Sequence, residues 1–294
     1  EPEEYKEKLK LYLKTGLSFP QARTNALTSF LKNDVDSLEE IISCPNNILG
    51  IEYIKALIRR NSAIKPISLY RKNSGHNESS VDDGDACSSL SIRNAIKNNN
   101  EISPLMTKMQ QNSLIALFEA VSKNNILYAD NISNELLYKL LISNEEGYDK
   151  YLDVSQDLSC KISKELENFV SFSQFCDILK SKDLTYTRIS RSLMHILLNI
   201  TKEKAEYYKE NDYIRFARVL GFKKEASPLL SAIERDSSIP LITKLSDARS
   251  ELDDTAYSMF SDDIFANRIY NATMSLKNKK SPDNEFRTPL VIVD

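Results

Sequence analysis

The chain has 294 residues, 41% hydrophobic and 28% charged, with a net charge of −3. That length is enough for two domains and a sizeable core. No apolar run reaches the roughly 18 residues a membrane span needs, and the charged start EPEEYKEKLK has no apolar stretch like that of a signal peptide.

Six glycines and nine prolines favour helix over tight turns. Tyr5, Leu9, Tyr12 and Leu13 fall on one helical face, and Gly16 is a natural stop. A second helix is expected from Ser18 and Pro20, with Ala26, Leu27, Phe30 and Leu31 turned inward. A third follows in PNNILGIEYIKALIRRN, where Ile48, Ile51, Ile54, Leu57 and Ile58 form an apolar stripe. The next segment, IKPISLYR, alternates Ile67 and Leu69 with polar neighbours and reads as a short parallel strand. KNSGHNESSVDDGDA reads as a loop, and SSLSIRNAIK as a short helix with a serine-rich start. This order resembles the back half of an α/β sheet domain.

From Ser103 onward the pattern is helical. NELLYKLLIS, LSCKISKELENFV, SFSQFCDILKS and TYTRISRSLMHILLNIT all repeat near 3.6 residues, several behind Ser, Thr or Asn caps. They predict an all-α domain with short connections. PLITKLSDA and TPLVIVD near the end read as extended.

Asn46 and Asn47 open the third helix. One amide can cap it, leaving the other to offer a donor and an acceptor to a nucleobase edge or a ribose. Arg71 and Lys72 stand at the C-terminal end of the expected strand, the edge where α/β proteins hold ligands. Ser88, Ser89 and Ser91 start a helix with Arg93 in its first turns, a combination suited to an anion. Cys44, Cys87, Cys160 and Cys176 are scattered and His76 lies far from His195, so no metal spacing is present. Reduced thiols in a cytoplasmic protein are the expectation.

Charge is uneven. Residues 180–224 hold eleven Lys or Arg against five Asp or Glu; residues 234–263 hold three against eight. Arg188, Arg191 and His195 share one stripe of a helix whose other side carries Ile189, Leu193, Ile196 and Leu197. Arg218, Lys223 and Lys224 extend the basic segment. Such a face can meet nucleic-acid phosphates or pair with neighbouring acids. Tyr207, Tyr208, Tyr213 and Phe216 interleave with it, and helix packing accounts for them better than base stacking.

PNNILGIEYIKAL, KPISLYRKNSGHN and SSLSIRNAI, with LTYTRISRSLMHILLNI, RVLGFKKEASPLL and IPLITKL after them, resemble in order and spacing the bacterial tRNA(Met) cytidine acetate ligases. These belong to the nucleotidyltransferase superfamily named for its His-Ile-Gly-His motif. That motif and the glycine-rich first strand are absent, and Leu90 stands where the superfamily's serine-containing motif usually has threonine. The resemblance therefore implies a fragment, inactive alone. Residues 1–100 would be the rear part of a Rossmann-like α/β nucleotide-binding domain, and 101–294 a mostly helical tRNA-binding domain.

The resemblance implies that ATP, with Mg²⁺, activates acetate as acetyl-adenylate, which acetylates the wobble cytidine of elongator tRNA(Met). It implies ATP contacts from Asn46, Asn47, Arg71, Lys72, Ser88, Ser91 and Arg93, and tRNA contacts from Arg188, Arg191, Arg218, Lys223 and Lys224. Catalytic residues and metal ligands are not expected within this chain. Another acetate ligase or nucleotidyltransferase of the superfamily, or a non-catalytic RNA-binding scaffold, remains open at this stage.

Overall fold

The computed structural model describes residues 2–31, 41–42, 44–69, 88–99, 105–282 and 284–293. The chain divides into two compact units, 1–119 and 120–294.

In the first unit, α1 (Glu3–Lys14) ends where Gly16 takes φ +83°, the left-handed conformation that glycine adopts without cost. The Gly16 N–H donates to Leu13 O at 3.1 Å. α2 (Phe19–Leu31) buries Ala22 and Ala26, one turn apart. Tyr12 Oη and Ser29 Oγ are 2.8 Å apart, and Tyr5 meets Phe30 edge-on. These contacts bind α1 to α2. α3 (Pro45–Arg59) is held to α2 by Arg23 Nη2 donating to Glu52 Oε1 at 3.1 Å. Its apolar stripe is only partly covered, since Ile54 and Ile58 are exposed.

The strand expected over 64–71 does not form in its described part. Residues 62–69 carry no ladder bonds, and Ile67 and Leu69 are 86% and 91% exposed. A strand exists by pairing, and among the described residues no neighbour pairs with this segment. α4 (Ser89–Asn99) and α5 (Gln111–Ser122) follow.

The second unit begins with α6 (Ser133–Ser143), α7 (Gln156–Glu165), α8 (Phe172–Leu179) and α9 (Tyr186–Leu197). Leu140, Tyr148, Ile162, Phe175, Leu193 and Ile196 join in one core, each fully buried. Capping fixes the starts: Ser155, Ser171 and Thr185 accept from Leu158, Gln174 and Arg188 N–H groups at 3.2–3.3 Å. After α10 (Lys202–Glu210) come α11 (Ser227–Asp236), the single turn α12 (Ala248–Glu251) and the 25-residue α13 (Asp254–Asn278). Phe260 and Ile264 of α13 build a second core with Ile242 and Leu252, while Ile269 packs on the first. Thr273 Oγ1 donates to Glu135 Oε1 at 2.8 Å, so α13 ties the two cores together.

This unit is helix-rich but not all-α, which corrects the expectation. β1 (Ala217–Arg218) pairs in parallel with β3 (Leu241–Ile242), and β2 (Gly221–Lys223) with β4 (Val291–Val293). Two or three residues are too few for an alternating pattern to declare a strand. Only the extended character of 240–242 and 288–293 was readable. Gly221 is required by its neighbour, because a Cβ there would lie 2.6 Å from Val291 O.

Candidate functional site

In the first unit, Pro45 sets the start of α3. Its fixed φ and missing N–H suit the first helical position. Cys44 is therefore the N-cap, with no side-chain cap bond, and Asn46 and Asn47 are the second and third helical residues. Neither amide caps the helix, contrary to the sequence reading. Both are exposed, and neither has a hydrogen-bond partner among the described residues.

At α4 the expected serine cap is present. Ser88 Oγ accepts from Ser91 N–H at 3.0 Å, and Ser91 Oγ donates to Ser88 O at 2.9 Å. Both serines are buried, with their hydroxyls turned onto the start of their own helix. Arg93, in the same turns, is exposed. Arg71 and Lys72 lie outside the described residues, as do Cys87 and His76.

The second unit separates the basic residues into two kinds. α9 buries Ile189, Leu193 and Ile196 and turns Arg188, Arg191 and His195 to its other side, as the periodicity requires. Arg191 donates from Nε to Asp153 Oδ2 at 2.7 Å, and His195 Nδ1 lies 2.9 Å from Leu152 O and 3.5 Å from the same carboxylate oxygen. Ser192 Oγ donates to the Asp153 carbonyl at 3.0 Å. Asp153 thus organises this face, from a backbone position with φ +61°. Sequence reasoning missed it because a lone aspartate in a turn carries no periodic signal. Arg188 is exposed and has no acidic partner among the described residues.

Arg218 is different. Its guanidinium lies 3.5 Å from Asp263 Oδ2 and contacts Glu285 Oε1, and its side chain is mostly buried. Lys223 and Lys224 are exposed at the end of β2 and just after it. Arg215 pairs with Asp253 and Asp212, and Lys204 with Asp262. Much of the apparent positive excess of residues 180–224 is thus neutralised by acids, two of them, Asp262 and Asp263, from α13.

Burial decides the titrating groups nearby. It pushes Tyr208 up to about 12, although Ser258 bonds to its hydroxyl, and the Cys176 thiol likewise to about 12. Both groups therefore hold their protons more tightly than free ones. Among the described residues, Cys44, Cys160 and Cys176 are free thiols, and no group of three His, Cys, Asp or Glu side chains is placed to hold a metal ion. No helix there is long and apolar enough to cross a membrane.

The family model described as HIGH Nucleotidyl Transferase matches residues 1–285. Curated relatives named tRNA(Met) cytidine acetate ligase match along the chain. The one from Halothermothrix orenii is 31% identical over 99% of this chain and 71% of its own length. Those from Clostridium acetobutylicum and Clostridium kluyveri are 33% and 35% identical, over 100% and 99% of this chain and 70% of theirs. Two crystal structures of Thermotoga maritima TmcAL share the fold at 22% identity. The apo form has a TM-score of 0.84, over 99% of this chain and 71% of that one; the form bound to alpha-thio ATP has 0.82, over 100% and 70%.

Proposed function

The chain belongs to the HIGH Nucleotidyl Transferase family and to the tRNA(Met) cytidine acetate ligases, and from that membership we propose that it serves the ATP-dependent acetylation of the wobble cytidine of elongator tRNA(Met). An acetate oxygen attacks the α-phosphorus of ATP and pyrophosphate leaves, giving acetyl-adenylate. The cytidine N4 amine then attacks the acetyl carbonyl, AMP leaves, and the amine loses a proton to give N4-acetylcytidine.

The first step brings a carboxylate against a polyanion, so its barrier is lowered by cations and N–H dipoles placed around the phosphates. We assign that work to Arg71, Lys72 and Arg93. Asn46 and Asn47 recognise the nucleoside end, and the unpartnered, exposed state of both amides supports this. Ser88 and Ser91 contribute by fixing the start of the helix that presents Arg93. Mg²⁺, the usual companion of a nucleoside triphosphate, would add to this neutralisation of phosphate charge.

Arg188, Arg191, Lys223 and Lys224 hold tRNA phosphates, and the wobble base leaves its stack to reach the adenylate. Arg218, expected as a further tRNA contact, is tied to Asp263 and Glu285, so its charge is the least free of the set. We place the reaction in the cytoplasm.

The observation that carries this reading is the match along nearly the whole chain to curated relatives of one name, at 31% to 35% identity. The test is nucleoside analysis of elongator tRNA(Met) from cells lacking the gene. N4-acetylcytidine should be absent and should return on complementation; its persistence would sink the assignment.

A further inference from the structure

The aromatic residues between Tyr207 and Phe216 divide into three held rings and one that is not. Phe216 meets Phe260 edge-on, with centroids 5.9 Å apart and planes at 72°. Tyr207 shares a hydrogen bond with Thr255 Oγ1 at 2.7 Å, and Tyr208 bonds to Ser258 Oγ and donates to Asp262 Oδ2 at 2.8 and 2.7 Å. Tyr213 is 65% exposed, and its hydroxyl has no partner among the described residues.

Tyr213 also stands on strained backbone. Asp212 and Tyr213 have φ of +66° and +55°, two successive non-glycine residues in the left-handed region. Such strain is kept where surrounding structure enforces it, and it concentrates at ligand clamps and switches. Here the Tyr213 N–H donates to Tyr208 O at 2.8 Å, which pins the turn to the end of α10.

Beside the ring lies a cleft of about 560 Å³. Leu198, Phe216 and Met259 give it apolar walls, and Tyr213, Arg215 and Asp263 bring polar groups to it. An apolar cleft with a few polar groups is the usual form of a ligand site. Asp263 touches Arg218 through Oδ2 alone and is half exposed, which leaves Oδ1 able to accept a hydrogen bond. Leu198 closes the helix that carries Arg188 and Arg191. Arg188 lies about 15 Å along that helix axis from the cleft wall.

Resting on the tRNA-modifying reading above, the geometry points to this cleft as the seat of one unpaired tRNA base that bears an exocyclic amine. The base stacks on the Tyr213 ring and donates its amine to Asp263, while Arg188 and Arg191 hold phosphates of the same strand. An aromatic face accepts any base, so stacking supplies affinity. The carboxylate, an acceptor only, favours adenine, cytosine or guanine over uracil.

Elongator tRNA(Met) carrying 2-aminopurine at one anticodon-loop position at a time is titrated into the full chain at low salt. One position should lose fluorescence on binding, and Tyr213→Ala should abolish that loss while Tyr213→Phe and Tyr213→Trp keep it. Affinity for tRNA should fall about five- to a hundredfold in Tyr213→Ala, with an unchanged melting temperature and unchanged ATP affinity. Uridine at the quenched position should weaken binding to the unaltered chain. Binding and quenching indifferent to Tyr213, or a loss confined to ATP, overturns the cleft assignment alone. Failure of the unaltered chain to bind tRNA at all overturns the parent reading, and this one with it.

Discussion

Arg191 and Asp153 are joined by a single hydrogen bond, Nε to Oδ2 at 2.7 Å, and both outer nitrogens of the guanidinium remain without a partner among the described residues. The acid holds the guanidinium at the helix surface without consuming its donor fork. An exposed pair of this kind adds about 0–1 kcal/mol of stability, so its value lies in placement. Arg218, clasped by Asp263 and Glu285, has the opposite character.

The contrast separates two variants. Arg188→Ala and Arg191→Ala should each weaken tRNA binding across sequences and lower the slope of log affinity against log salt by about 0.7–1. Melting temperatures should barely move. Arg191→Lys should restore the slope but not the full affinity, because lysine lacks the planar fork. Filter binding between about 50 and 200 mM salt reads this directly, and an unchanged slope in both alanine variants would place the tRNA elsewhere. Arg218→Ala should instead lose about 1–3 kcal/mol of stability by stranding the Glu285 carboxylate, one of whose oxygens is already buried and unpaired.

The sequence declared what repeats along a helix. The inward face of α9 and the Ser and Thr caps of α8 and α9 were readable because they rest on local spacing. What depends on distant partners was not. β1 and β2 exist only because Ala217 meets Leu241 and Gly221 meets Val291. The acids that neutralise Lys204, Arg215 and Arg218 lie on or next to α13 or at Glu285, so counting charge in a window overstated the open positive face. The α3 cap was misjudged for a local reason: Pro45 outcompetes either asparagine for control of the helix start.

Gly221→Ala tests the β2–β4 pairing. The new Cβ would meet Val291 O at 2.6 Å and Val291 Cβ at 2.9 Å, backbone among them, so rotamer relief is not enough. A cost of about 1–3 kcal/mol is expected from the enforced shift, read as a lower melting temperature. Gly50→Ala is the control, since its Cβ would meet nothing within 4 Å. It should hold or raise stability in mid-helix. Equal behaviour of the two variants would show that β2 and β4 do not pair.

The cysteines give a burial test. Cys176 is fully buried, and burial followed by the neighbouring Asp177 carboxylate pushes its thiol up to about 12. A thiol raised in this way stays protonated at pH 8, and the thiolate is the reactive form. Iodoacetamide at pH 8 should modify the exposed Cys160 in the native protein and reach Cys176 only after unfolding. Peptide mass spectrometry follows each site. Rapid native labelling of Cys176 would contradict the first core as described.

Asp253 makes the acid limb of stability predictable in sign. Its Oδ1 accepts from the Ala256 N–H at 2.8 Å, capping α13, and its Oδ2 meets Arg215. The Ala256 bond first, then Arg215, holds this carboxyl below its ordinary value of 3.8. A folded-state pKa below the unfolded one means the stabilisation is complete above the unfolded value and is lost as pH falls through the folded one. The window therefore lies below about pH 4. Asp253→Asn keeps a cap acceptor of similar quality but loses the charge opposite Arg215. The variant should melt below the wild type at pH 7, and the gap should close as pH drops from about 4 toward 2. Melting curves across that range decide it, for a gap constant with pH would mean the carboxylate charge contributes nothing at this helix start.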